Sequence, residues 1–194
     1  MSSLANCFIT PEEYLERERK AQHKSEYYNG EIFAMSGVSR KHDLISTQLQ
    51  FLIYRHLRGR TCRMHSAEMR VLALPSGLYT YPDLSVVCGK PQYADSQVDT
   101  LTNPTLLVEI LSPSTEAYDR GQKAKLYRSI PSLQELLLIE QETYEVELYR
   151  RQPDGTWSII SALGLDSSIE LTSIGYTLQL RELYEIVVAD GEAG

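Results

Sequence analysis

Two carboxylates stand inside apolar runs where an unpaired charge is costly. Asp83 opens the run Leu84 to Cys88, and Glu109 lies within Leu106 to Leu111, with aliphatic residues on both sides. An acid in such a setting either shifts its pKa to escape ionisation or is held charged by a partner. A divalent cation is one such partner, which makes Asp83 and Glu109 a candidate metal pair. A third group follows in the stretch after Glu109, where Asp119, Lys123 and Tyr127 are spaced i, i+4, i+8 and share one helix face. Lys125 points about 200° away from Lys123 at about 100° per residue, so only one of the two can turn back toward the Glu109 strand. Lys123 has the patterned polar face, and Lys125 points to solvent. The plain alternative for Asp119 and Lys123 is a surface ion pair of small energetic weight. A divalent cation held by oxygen ligands is the chemistry that this pair of acids admits.

The elements that must position these groups can be read from punctuation and periodicity. Thr10-Pro11-Glu12-Glu13 is a helix start with an N-cap threonine, a proline at the first helical position and a capping glutamate, predicting a helix to about Lys20. Asn29-Gly30 separates Glu26-Tyr27-Tyr28 from Glu31 to Met35, a hairpin signal. A helix starting at Ser39 or His42 runs to Arg58, with Ile45, Leu49, Leu52 and His56 on one face, and Gly59 stops it. Residues 61 to 74 supply one or two strands, ended by Pro75-Ser76-Gly77. Between the strands of Asp83 and Glu109, residues 89 to 103 are polar and turn-rich and read as a surface loop. Ser112-Pro113-Ser114 breaks the second strand, and a helix follows from about Ala117 to Ser129. Strands Leu136 to Glu140, Tyr144 to Arg150 and Thr156 to Leu163 come next, and Leu180 to Val187 forms a short closing helix. The order of elements predicts an α/β (α+β) fold, a central mixed sheet flanked by helices, with residues 1–194 as one domain.

The totals bound the function class. The 194 residues are 42% hydrophobic and 23% charged, enough for a substantial core. The net charge of -7 argues against a general nucleic-acid coat protein but leaves room for an enzyme with a local basic surface. Thirteen tyrosines against one tryptophan and three phenylalanines suit half-buried strands and interfaces, which hints at self-association. Cys7, Cys62 and Cys88 are odd in number, far apart and in no Cys-x-x-Cys pairing, so they read as free thiols in a reducing cytoplasm. No apolar stretch approaches the ~20 residues of a membrane span, and the N-terminus lacks a signal-peptide layout.

Other polar residues are weaker candidates. From its position alone Glu31 is a hairpin residue facing water, and Glu68, just before a strand, is solvated unless it adds an oxygen beside a metal. The four histidines show no zinc-ligand spacing. His42, at a helix start, serves capping or exposure unless it meets a carboxylate. Arg55, Arg58, Arg60, Arg63 and Arg70 form a basic cluster, read as a solvated face unless they converge to hold phosphates. Phosphate-binding glycine loops, dinucleotide fingerprints and the nucleophile elbow of serine hydrolases are missing.

Pro82-Asp83, then Glu109 on the next apolar strand, then a lysine, resembles the PD-(D/E)xK nuclease superfamily. More narrowly, the chain resembles a bacterial family of restriction-endonuclease-like domains of about this length. Four blocks carry the likeness in order: Asn-Gly-Glu-Ile with Met-Ser-Gly (29 to 37), Tyr-Pro-Asp-Leu-Ser-Val-Val (81 to 87), Leu-Leu-Val-Glu-Ile-Leu-Ser-Pro-Ser-Thr (106 to 115), and Tyr-Asp-Arg-Gly-Gln-Lys with Tyr-Arg-Ser-Ile-Pro-Ser (118 to 132). The resemblance implies a restriction-endonuclease-like fold and a homodimeric, metal-dependent endonuclease acting on DNA. Carried over, Asp83 and Glu109 would ligate Mg²⁺, for which Mn²⁺ could substitute. Lys123 would stand by the attacking water, and Glu31 would be a further carboxylate at the site. The superfamily pattern places lysine two residues after the glutamate, where this chain has Leu111, so Lys123 would have to supply the cation from the following helix. Two alternatives stay open at this stage. One is a non-catalytic domain of the same fold serving oligomeric interaction or nucleic-acid binding, and the other is a metal-dependent hydrolase of a small phosphodiester.

Overall fold

The computed structural model describes residues 8–35, 37–189 and 191. Helix α1 (Pro11–Glu18) begins at the capping box that the sequence encodes, with Thr10 accepting from the Glu13 amide and Glu13 accepting from the Thr10 amide. The hairpin forms as β1 (Ser25–Tyr28) and β2 (Glu31–Ala34), turning on Asn29 and Gly30, both at positive φ. Helix α2 (Arg40–Leu57) starts at Ser39, whose hydroxyl accepts from the His42 amide. Strands β3 (Cys62–Ser66), β4 (Arg70–Ala73), β5 (Leu78–Thr80), β6 (Leu84–Cys88), β7 (Thr100–Leu101) and β8 (Leu106–Leu111) follow. The expected helix after Glu109 is composite. A short α3 (Glu116–Tyr118) runs into a π-helical turn, Asp119–Lys123, and then α4 (Ala124–Tyr127). Strands β9 (Glu135–Glu140), β10 (Glu145–Arg151) and β11 (Trp157–Leu163), the hairpin β12 (Ser168–Leu171) and β13 (Tyr176–Gln179), and the short helices α5 (Leu180–Leu183) and α6 (Glu185–Ala189) complete the chain.

The strands divide into a mixed six-stranded sheet, β11-β10-β9-β8-β6-β3, a five-stranded sheet, β2-β1-β5-β4-β7, and the β12-β13 pair. Strand β8 runs parallel to β9 and antiparallel to β6 at the heart of the first sheet. A strand buried on both faces reads as a continuous apolar run, and β8 is one. Its alternation decides everything about Glu109. Leu106, Val108 and Ile110 face α2, packing with Ile45, Leu49, Leu52 and Ile53. Leu107 and Leu111 face the other way, toward Ala124 and Tyr127. Glu109 shares the parity of Leu107 and Leu111, so it enters the α4 layer. Each large aliphatic buried on these faces contributes about 1.5–3 kcal/mol relative to exposure, which fixes the register firmly.

Several expectations need correction. The stretch 89 to 103 is not all surface loop, because Thr100 and Leu101 are buried and pair in parallel with β4. Two polar flanks hide that two-residue strand from any periodicity reading. The Cys62 and Cys88 thiols are not free. They stand opposite each other in the antiparallel β3–β6 pair and are joined as a disulfide. Spacing along the chain gave no hint, since sheet register brings together residues 26 positions apart. Cys7 lies outside the described residues. Much of the tyrosine excess goes into the interior: Tyr14, Tyr27 and Tyr79 stack between α1 and the five-stranded sheet, and Tyr127 and Tyr184 are wholly buried. Among the described residues no helix is long and apolar enough to cross a membrane.

Candidate active site

The cleft lies where the β1–β2 hairpin, the start of α2, the ends of β6 and β8, and the π-helical turn meet. Asp83 stands just before β6 with both oxygens engaged. Oδ1 lies 2.9 Å from His42 Nε2, and Oδ2 accepts from the Ile110 amide at 2.7 Å. The second bond ties Asp83 to the backbone beside Glu109. His42 is therefore neither a cap nor a surface residue. It sits in the first turn of α2 with 8% exposure, and the Ser39 cap that starts the helix also sets where the imidazole points. Ser39 is itself held by a hydroxyl bond of 2.8 Å to Gln141.

Lys123 reaches the same place from the opposite wall. Its Nζ is 2.9 Å from Glu26 Oε1, 3.0 Å from Glu109 Oε1 and 3.5 Å from Asp119 Oδ1. The surface ion pair considered for Asp119 and Lys123 is thus replaced by a cluster in which both residues are 5% exposed. Lys125 is exposed, as its helix angle required. Leu111, where the superfamily pattern carries lysine, is a buried core residue on the face shared with Glu109, and the ammonium arrives from the π-helical turn instead. The Ala124 amide bonds back to the Asp119 carbonyl, the i→i+5 pattern typical of such bulges. Tyr127, one turn on, donates to Glu109 Oε1 at 2.5 Å.

The electrostatics are lopsided. Glu26, Asp83, Glu109 and Asp119 all line the cleft, and Lys123 is the one lysine or arginine among its described lining residues. Burial, together with the charges of Asp83 and Asp119, pushes Glu109 up to about 8 despite the opposing pull of Lys123 and Tyr127. Asp119 is raised as well, chiefly by burial. Burial alone would drive Lys123 down, but Glu109, Tyr127, Glu26 and Asp119 outweigh it and hold the ammonium well above the usual lysine range. Lys123 is charged at neutral pH, and the acids around it outnumber it.

That surplus of buried carboxylate fits a cation. Among the described residues no group of three or more His, Cys, Asp or Glu side chains is placed to hold a metal ion. Asp83 and Glu109 would have to share it with water and substrate oxygen. Magnesium is held in that way, through one or two carboxylates, several waters and phosphate. The donor set is all hard oxygen, as that ion requires.

The residues named in the sequence divide unevenly. Asp83, Glu109 and Lys123 come together. Glu31 does not: it is exposed at the end of the hairpin and is no part of the cleft lining. The hairpin acid at the site is Glu26, which lies opposite Phe33 in the β1–β2 register and also accepts from the Thr80 hydroxyl. Strand parity could have suggested this, because Glu26 and Tyr28 share one face while Tyr27 enters the tyrosine core on the other. Glu68 is exposed and paired with Lys24 at 2.5 Å. The arginine cluster does not converge. Arg70 is buried and bound to Asp99, Thr100 and Tyr81, Arg55 pairs with Glu182 at 3.7 Å, and Arg63 donates to the carbonyls of Arg60 and Cys62.

Comparisons with known proteins bear on the family and the fold. Residues 11–181 match the model of the Uma2 family, described as "Putative restriction endonuclease". Two proteins of Synechocystis sp. (strain ATCC 27184 / PCC 6803 / Kazusa) are similar. The uncharacterized protein slr1290 is 40% identical over 176 residues, covering 91% of each chain. The uncharacterized protein sll1609 is 37% identical over 164 residues, covering 84% of this chain and 93% of its own. The crystal structure of a "putative nuclease belonging to DUF820" from Anabaena variabilis ATCC 29413 superposes with a TM-score of 0.76 at 22% identity, covering 91% of this chain and 98% of that one. At that identity the likeness speaks for the fold, which is restriction-endonuclease-like.

Proposed function

The chain belongs to the Uma2 family of restriction-endonuclease-like proteins, and from that premise we propose that it is a Mg²⁺-dependent endonuclease that hydrolyses phosphodiester bonds of DNA. The observation that carries the reading is a single cleft in which three buried carboxylates, Glu26, Glu109 and Asp119, hold one lysine while the half-buried Asp83 lines the same cleft. Asp83 and Glu109 would hold the ion, and Mn²⁺ would serve in its place. When bound, the ion would polarise the phosphoryl group and lower the pKa of water. His42 and the Ile110 amide fix the Asp83 carboxylate, so its orientation costs nothing further when substrate arrives. Glu26 and Asp119 hold the Lys123 ammonium charged and aimed at Glu109. From there it can orient an attacking water and stabilise charge growing on the phosphate. Glu26 takes the place that the resemblance gave to Glu31. A cytoplasmic location, where DNA is available, and assembly as a homodimer belong to the same proposal, but the location no longer draws on the cysteines, because Cys62 and Cys88 are joined.

The test is cleavage of plasmid DNA and of its heat-denatured strands with Mg²⁺ or Mn²⁺, comparing the wild type with Asp83→Ala and Glu109→Ala. Loss of about a hundredfold or more in each variant is expected, since each removes a ligand on which several kcal/mol of transition-state stabilisation depend. Equal activity in all three proteins would dismiss the assigned site. No cleavage by the wild type with either ion would dismiss the enzyme and leave a binding domain of the same fold.

A further inference from the structure

The walls of the cleft differ in kind from its floor. The acids and Lys123 lie deep, whereas the rim formed by β2 and the chain that follows it carries Phe33, Met35 and Val38, which remain 45%, 38% and 61% exposed. Tyr28 and Tyr118 continue the apolar lining. Phe33 faces Glu26 directly across the hairpin, so its ring stands on the same side as the catalytic cluster. The cleft offers about 670 Å³, the scale of a small-ligand site.

Affinity for duplex DNA comes from the backbone, through on the order of six or more phosphate contacts from lysine and arginine. The described lining of this cleft offers nothing of the kind. Lys123 is the one lysine or arginine in its described lining, and it is surrounded by Glu26, Glu109 and Asp119. Lys41 and Arg120, the sequence neighbours of His42 and Asp119, are taken by Glu142 and by Glu116, Glu140 and Glu147. None of the residues outside the described set is lysine or arginine. The four carboxylates repel phosphate everywhere except where a divalent cation sits. Bases must then supply the rest of the affinity, and an exposed ring beside the reacting phosphate offers it by stacking, which only an unpaired base can reach.

Resting on the nuclease reading above, we infer that the substrate is single-stranded DNA, or a locally unpaired segment, entering with one base against Phe33 while its phosphate meets the Asp83–Glu109 pair. Phe33 is then the residue that selects single strand over duplex.

The experiment uses the full chain with Mg²⁺ and three end-labelled substrates of one sequence: single strand, perfect duplex, and duplex with a central unpaired bubble. Single strand and bubble should be cut at least about tenfold faster than duplex. Phe33→Ala should slow cleavage of the single strand about tenfold, and Phe33→Tyr should restore most of it. Binding of the single strand, read by fluorescence anisotropy with Ca²⁺ in place of Mg²⁺, should weaken with salt along a log–log slope no steeper than about −2. Duplex cut as fast as single strand, or Phe33→Ala without effect, would overturn the inference while leaving the nuclease intact. No cleavage of any substrate would overturn both readings.

Discussion

Replacing Lys123 with methionine tests the logic of the cleft through stability, independently of any substrate. The ammonium lies within 3.5 Å of three carboxylates, on Glu26, Glu109 and Asp119, and is 5% exposed. Methionine fills most of the volume but leaves those acids facing one another without a cation. Breaking a buried ion pair by removing one partner costs about 3–5 kcal/mol, most of it the exposure of the remaining charge to an environment that cannot solvate it. With a urea dependence of about 2 kcal/mol per molar, the unfolding midpoint should fall by about 2 M. The loss must depend on pH. Burial already raises Glu109 and Asp119, so on acidification they take up protons and the repulsion disappears. Urea unfolding followed by tyrosine fluorescence and circular dichroism at pH 8 and pH 5 would show a larger loss at pH 8 than at pH 5. Saturating Mg²⁺ should return part of the lost stability at pH 8. A loss under about 1 kcal/mol that is the same at both pH values would refute the claim that Lys123 neutralises a buried acidic cluster.

Two further predictions follow from the same geometry. Glu109 has its folded pKa raised from 4.5 to about 8, so the metal-free native state binds more protons than the unfolded chain between those values, and its stability falls as pH rises through that window. A cation bound at Glu109 competes with that proton, so Mg²⁺ affinity should rise from pH 6 to about 8 and then level off. Calorimetric titration in two buffers of different ionisation enthalpy should detect proton release at pH 7, and an affinity independent of pH between 6 and 9 would count against Glu109 as a ligand. The disulfide between Cys62 and Cys88 predicts that, of the three cysteines, a single thiol reacts with a chromogenic disulfide reagent in denatured, unreduced protein. Reduction should cost about 2–4 kcal/mol of stability, and three reactive thiols before reduction would return the cysteines to the free state.

The sequence determined by itself whatever depends on neighbours along the chain. The capping box at Thr10, the Asn29-Gly30 hairpin and the apolar face of α2 follow from local geometry and short-range periodicity, and all three formed as read. Asp83 and Glu109 were visible because a charge inside an apolar run needs a physical reason to be there. Register and long-range packing decided the rest. Glu31 and Glu26 are both acids of one hairpin, and only the way that hairpin sits across β5 and over the π-helical turn selects Glu26 as the partner of Lys123. Cys62 meets Cys88, and His42 meets Asp83, because sheet pairing and helix packing bring together residues 26 and 41 positions apart. Patterns of period two or 3.6 report which face a side chain occupies, but not what stands opposite, since that is fixed when separate elements minimise their shared exposed area.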